Sequence, residues 1–204
     1  MLILASASPR RQDLLRSAEI LFSVQPADID ETLLAGESPR EYAERLAREK
    51  AQAIFQRRPQ DFVLGADTIV VIDDTILGKP RGAEDAARML RLLSGRRHAV
   101  ITGVCMVGPD DSSPLLGASS EKRIARSSAE EKISSETTLV TMCEISEKEI
   151  REYVATGEPM DKAGAYAIQG MASRWIPKIE GDYSNVVGLP VAMVYAMLRE
   201  RGAV

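Results

Sequence analysis

FVLGADTIVVI, residues 62–72, is apolar, rich in β-branched side chains, and reads as one buried β-strand. Asp73-Asp74 predicts a turn after it, and Thr75–Leu77 a short strand. Ala83–Leu93 follows with helical spacing, Glu84 and Asp85 in its first turn and Gly95 as its stop. Residues 98–107 and 137–145 read as two long strands. Ser146-Glu147-Lys148-Glu149 is a capping box opening a helix that Gly157 closes. Residues 180–190 (EGDYSNVVGLP) read as a polar loop leading into a buried strand, and Pro190 starts a last helix with Val191, Val194 and Leu198 inward. On the N-terminal side, Ser38-Pro39-Arg40-Glu41 is another capping box, and Tyr42, Leu46, Ala47, Ala53 and Ile54 form the apolar face of its helix. Met1–Ala5 reads as a short strand, and Ser8-Pro9 opens a helix to about Ala18. Strands and helices alternate around a central hairpin pair. That pattern predicts an α/β fold with a mixed sheet, and a ligand at the carboxyl ends of the strands.

One segment breaks the pattern. Gly108–Ser135 holds four adjacent serine pairs among mixed charges, and reads as a flexible surface insertion; a partner-binding loop is the alternative. The 204 residues read as a single domain, 1–204, with 108–135 as an insertion within it.

Composition excludes several classes of chemistry. With 26 Lys+Arg against 30 Asp+Glu, the net charge of -4 makes the chain a poor general binder of nucleic acid or anionic membrane. Cys105 and Cys143 lie in apolar runs without metal-ligand spacing, so both read as buried thiols in a reducing compartment. No apolar run reaches the roughly 18 residues of a spanning helix, and Leu2–Ala5 is too short for a signal peptide, so a cytoplasmic location is expected. The single histidine, His98, cannot build a multi-histidine zinc site and reads as an ordinary histidine at a strand edge. Lipase-type, Walker and dinucleotide-binding glycine motifs are absent. Any catalysis must run on carboxylates, lysines and arginines.

Five constellations could carry it. In ASASPRRQ, residues 5–12, a strand feeds a helix N-terminus whose N–H groups and dipole favour anions; Ser8 adds a hydroxyl, and Arg10 and Arg11 add forks suited to phosphate. The plainer alternative is an N-cap with two solvated arginines. In GADTIV, residues 65–70, Asp67 is a carboxylate inside an apolar strand, costly unless paired, metal-bound or facing a site, with the hydroxyl of Thr68 beside it. A structural Asp capping a neighbouring helix is the competing reading. Lys79 in GKP, residues 78–80, would point into the same cleft. MDKAGAYAIQG, residues 160–170, carries Asp161 and Lys162 and ends in Gln169-Gly170, an amide suited to a base edge, or else it is a turn followed by a strand. EGDYSNVVGLP alone says only "loop".

Taken in order, LASASPRRQDLL, DIDE around Glu31, AREKA with Lys50, GADTIV, GKP, DKAGAYAIQG and NVVGLP resemble the Maf family of nucleoside triphosphate pyrophosphatases, from Leu2 to about Leu198 outside the insertion. The resemblance implies an elongated sheet like that of inosine triphosphate pyrophosphatases, with an active-site cleft between two lobes. It implies hydrolysis of a nucleoside triphosphate to the monophosphate and pyrophosphate with a divalent cation, Mg²⁺ or Mn²⁺. By the motif match, Asp67 is the proton acceptor, Glu31 and Asp67 are metal ligands, and Ser8, Arg11, Lys50 and Lys79 contact the triphosphate. Arg10, Thr68 and Gln169 match the branch of the family that acts on dTTP and UTP, where a neutral amide suits a pyrimidine edge. The insertion is longer than usual in that family. A non-catalytic nucleotide sensor regulating cell division, and a purine house-cleaning enzyme, are the other readings; Asp67 speaks against the first, Thr68 and Gln169 against the second. The expected partner is a small nucleotide, with no nucleic acid or membrane. Monomer and homodimer are both open.

Overall fold

The computed structural model describes residues 1–109 and 129–203. The described residues form seven strands and six α-helices. In chain order they are β1 (Leu2–Leu4), α1 (Pro9–Ser17), β2 (Ser23–Val24), α2 (Pro39–Phe55), β3 (Phe62–Ile72), β4 (Thr75–Leu77), α3 (Ala83–Leu93), β5 (Arg97–Pro109), β6 (Ala129–Thr141), α4 (Glu147–Ala155), β7 (Lys178–Glu180), α5 (Tyr183–Val187) and α6 (Val191–Glu200). Three short 3₁₀ turns, Glu158–Asp161, Ala163–Ala165 and Met171–Trp175, join α4 to β7. The sheet runs β2-β1-β3-β5-β6-β7, with β4 also on β3. β1 is parallel to β2 and β3, and the other pairs are antiparallel. The mixed α/β sheet is the expected one.

β3 organises everything else. Its even-numbered residues face two separate cores: Leu64 and Ala66 pack with Leu15 of α1 and Leu198 of α6, whereas Val70 and Ile72 pack with Leu90 of α3 and Tyr153 of α4. Thr68 falls between the two. The opposite face is covered by α2. A methyl group on Gly65 would lie 2.0 Å from the Ala47 carbonyl oxygen, and one on Gly103 2.3 Å from that of Ala43, so α2 rides directly on the strand backbones. One edge of β3 is also interrupted. β1 pairs with residues 62–64 and β4 with residues 70–72, leaving the middle of β3 without a strand neighbour on that side among the described residues.

Four differences from the sequence reading have physical causes. First, the hairpin is longer than expected: Gly108 and Pro109 belong to β5, and residues 129–135 belong to β6. This end of β6 offers little apolar surface. It is held by the β5 ladder and by polar contacts, Arg48 to Glu131, Arg201 to Glu130 and Ser135 to Glu44, so serine and charge did not mark a loop there. The centre of the expected insertion, 110–128, lies outside the described residues. Second, Cys143 is exposed just past the end of β6, while Cys105 is buried in the sheet, where burial pushes its thiol up to about 12. Third, residues 183–187 form a short helix rather than a strand, because the Asp182 carboxylate accepts from Ser184 N at 2.7 Å and caps it. Fourth, β2 and β7, of two and three residues, are too short to leave a periodic signal.

Both capping boxes form as read, at Ser38/Glu41 and Ser146/Glu149. Asp73 and Asp74 both adopt positive φ in the turn to β4. Among the described residues no helix is long and apolar enough to cross a membrane.

Candidate active site

A cleft of about 430 Å³ opens beside the interrupted edge of β3. Ser8, Arg10, Arg11, Glu31, Lys50, Asp67, Thr68, Lys79, Asp161, Lys162 and Gln169, every site residue singled out from the sequence, line it.

The centre is a lysine between two carboxylates. Lys50 Nζ donates to Asp67 Oδ1 at 2.6 Å and lies 2.7 Å from Glu31 Oε1. Local structure explains why they meet. The glycine at position 65 lets α2 press on β3, so Lys50, one turn beyond Leu46 and Ala47, reaches the face of β3 that carries Asp67. Both side chains are largely withdrawn from solvent, at 11% and 13% exposure, which makes the pairing obligatory for each. Glu31 is half exposed and arrives on the loop between β2 and α2. Tyr42 holds that loop by donating to the Glu31 carbonyl at 2.7 Å, and Arg45 by donating to the Thr32 carbonyl and the Glu37 carboxylate. Burial works to raise the Glu31 pKa, but the hydrogen bond and charge of Lys50, with Lys79 and Arg11 behind them, hold it below the ordinary value.

Arg11 departs from its expected form. Instead of presenting a free fork, its guanidinium is buried and donates to Gly188 O at 2.7 Å, Ala66 O at 2.8 Å, Thr68 Oγ1 at 3.0 Å and Ser6 Oγ at 3.1 Å. Four of its five N–H groups are thereby engaged. Ala66 O lies on the interrupted stretch of β3, and Arg11 supplies it with a donor. Burial lowers the Arg11 pKa, with the Asp67 charge acting the other way. The Thr68 hydroxyl belongs to the same network, 2.9 Å from Thr102 Oγ1 and 3.2 Å from Gly188 O.

Ser8 stands at the N-cap of α1 but makes no side-chain cap, and its hydroxyl has no partner among the described residues, while Ser6 Oγ accepts from Ser8 N at 3.3 Å. Arg10 points the other way and pairs with Asp161 at 3.1 Å across the cleft mouth. Asp161 also meets Lys162; burial raises its pKa, yet the hydrogen bonds from Lys162 and Arg10 leave it lowered overall. Lys162 reaches back to the Glu158 carbonyl at 3.0 Å. Lys79 is exposed at the rim, with no ion pair among the described residues. Gln169 is exposed on the far wall.

Sequence reasoning missed the parts that only hold others in place. His98 stands at the start of β5, as read, but is buried: its Nε2 lies 2.8 Å from the Tyr166 hydroxyl, and burial pushes its pKa down to about 4. Asn185 is fully buried and donates to Val100 O and Thr138 Oγ1, both at 3.0 Å, anchoring the segment that ends at Gly188. A polar residue directly before an apolar stretch was the signal available for either.

Such an arrangement can neutralise several negative charges and hold a carboxylate ready to take a proton. The family model described as Maf-like protein matches residues 1–201. The dTTP/UTP pyrophosphatase of Koribacter versatilis is 55% identical over 201 residues, covering 98% of this chain and 94% of that protein. Those of Anaeromyxobacter dehalogenans (strain 2CP-C) and Geobacillus sp. are 48% and 44% identical over 201 residues, each covering 98% of this chain and respectively 94% and 98% of the relative. A match of that extent, with the quoted motifs gathered in one cleft, establishes that the chain belongs to the Maf family.

Proposed function

We propose that this chain hydrolyses dTTP and UTP to the monophosphate and pyrophosphate. The observation that carries the reading is the lysine bridge: Lys50 joins Asp67 and Glu31 at the interrupted edge of β3, inside a ring of further cations. The names borne by the relatives support the substrate. The carboxylate–lysine set favours turnover over a sensor that merely binds.

In this reaction a water oxygen bonds to the α-phosphorus, the bond from that phosphorus to the bridging oxygen breaks, and pyrophosphate leaves with the electron pair. The proton of the water passes to the Asp67 carboxylate, whose Oδ1 is held by Lys50. Ser8, Lys50 and Lys79 meet the triphosphate, and Arg11 adds its charge and its one uncommitted N–H. Arg10, Thr68 and Gln169 select the base: Gln169 by contact, Thr68 by fixing Arg11 and Gly188, and Arg10 by closing on Asp161.

The donor set also suits a divalent cation. Glu31 and Asp67 supply two carboxylates already gathered around one positive charge, and no group of three or more His, Cys, Asp or Glu is placed for a metal among the described residues. Mg²⁺ or Mn²⁺ fits such a site, since Mg²⁺ commonly binds through one or two carboxylates plus substrate phosphates. When bound, the cation would offset phosphate charge. A cytoplasmic location and a small-nucleotide partner accompany this reading.

The test is pyrophosphate release from a nucleotide panel with and without Mg²⁺. Hydrolysis of dTTP and UTP well above that of GTP and inosine triphosphate is expected. Equal rates across the panel would remove the substrate assignment, and nucleotide binding without turnover would favour the sensor.

A further inference from the structure

The turn that presents Gln169 is built from outside the cleft. Gly170 N donates to Ala167 O at 3.1 Å, closing a turn with Ile168 and Gln169 at its tip. Each flank of that turn is tied to one polar pair. Before Gln169, Ala167 N donates to the Tyr153 hydroxyl at 3.2 Å. After it, Met171 N donates to the Glu158 carboxylate, at 3.2 and 3.3 Å to its two oxygens. The pair is itself joined, because Tyr153 donates to Glu158 Oε1 at 2.8 Å. Tyr153 is fully buried on α4, its ring edge-on to Trp175 with centroids 5.3 Å apart, so the hydroxyl has a fixed origin. Neither residue lines the cleft.

The glycine at 170 completes the device. A methyl group there would fall 2.0 Å from Glu158 Oε1, so only glycine leaves room for the carboxylate to reach the turn. The Tyr153 hydroxyl uses its proton toward Glu158 and a lone pair toward Ala167, and the carboxylate takes both donors. Removing the hydroxyl would leave a buried N–H at Ala167 unpaired and free one flank of the turn.

We infer that Tyr153 and Glu158 are positioning residues for base recognition, setting where the Gln169 amide meets the nucleobase while leaving the phosphate chemistry alone. This deepens the dTTP/UTP reading and rests on it. A substitution that disturbs only the turn should weaken binding of the preferred base, whereas the reacting phosphate, met by Ser8, Lys50, Lys79 and Arg11, should not register it.

The experiment is steady-state kinetics of Tyr153→Phe with dTTP, UTP, CTP and GTP, alongside the wild type. The KM for dTTP should rise about tenfold with kcat within about threefold, and the preference for dTTP over GTP should narrow by a similar factor. Equal losses across all four nucleotides, a fall in kcat at constant KM, or wild-type kinetics with only a lower melting temperature would overturn the assignment. Should that variant fail to fold, Glu158→Gln keeps the shape but replaces one acceptor oxygen with an amide donor. It should narrow the same preference, and wild-type selectivity in it would overturn the inference. A wild-type protein inert toward every nucleotide would overturn the dTTP/UTP reading itself, and with it this inference, a result distinct from selectivity that survives in the variants.

Discussion

The two walls of the cleft are built on opposite plans. On the wall proposed to meet phosphate, charged side chains make the bonds: Lys50 to Asp67 and Glu31, and Arg11 to two backbone carbonyls and two hydroxyls, nearly all of it buried. On the wall proposed to read the base, residues 158–171 form short turns whose shape depends on backbone bonds to Tyr153 and Glu158, and the Gln169 amide is exposed. A charged centre in a partly dry site must be over-determined, because any unpaired member is costly. A base reader needs only a fixed turn, and different side chains can be mounted on it. The comparison teaches that chemistry and selectivity should separate under mutation.

The largest expected effect tests the phosphate wall. Asp67→Asn keeps shape but removes the proposed proton acceptor, so kcat should fall at least about a hundredfold. Without ligand its melting temperature should stay within about 4 °C of wild type, since Lys50 keeps Glu31 as partner. An active but markedly destabilised variant would make Asp67 structural and erase the contrast between the walls.

Next comes the packing beneath that wall. Gly65→Ala places a methyl group against the Ala47 carbonyl, backbone on backbone, and should cost about 1–3 kcal/mol while moving Lys50 away from Asp67. Loss of both stability and kcat is expected. Denaturant melts and dTTP turnover read both, and retention of either would show that α2 does not set the lysine's reach.

The base wall should answer with selectivity. Gln169→Glu removes two donors and adds a charge on an exposed residue, so kcat/KM for dTTP should fall about tenfold or more while thermal stability holds. Unchanged relative rates across a nucleotide panel would remove Gln169 from recognition.

The smallest effect sharpens the comparison through pH. His98 supports Tyr166 behind the base wall, and its pKa falls from 6.5 to about 4 on burial. A depressed histidine pKa means the unfolded chain takes up the proton first. Stability is therefore complete above about pH 7 and declines as pH drops from 6.5 toward 4, by about 1 kcal/mol between pH 7 and 5.5. Chemical denaturation at those two pH values should show a shallower loss in His98→Gln than in wild type; identical slopes would show that the histidine is not held neutral.

Much of this was legible before any coordinates. The bounds of β3, β4 and α3, and both capping boxes, follow from local signals: apolar periodicity, turn residues and reciprocal side-chain caps all act within a few residues. Motif order likewise pointed to every cleft residue that was singled out. Asp67 announced itself because a carboxylate in an apolar strand needs a reason, and that reason proved to be Lys50. Local signals misled where structure is held from a distance. Residues 129–135 are polar yet paired, because an edge strand can be fixed by its ladder and by ion pairs to α2 and α6 without an apolar face. Tertiary structure alone decided that Arg11 turns inward, since the carbonyls it serves come from β3 and from Gly188, 55 and 177 residues away. It alone decided that Tyr153 and Glu158 shape the turn around Gln169, because backbone N–H groups carry no sequence label and any residue could have offered them. A chain declares its side chains in order; which backbone groups lack partners, and which distant side chain meets them, exists only once the sheet has closed.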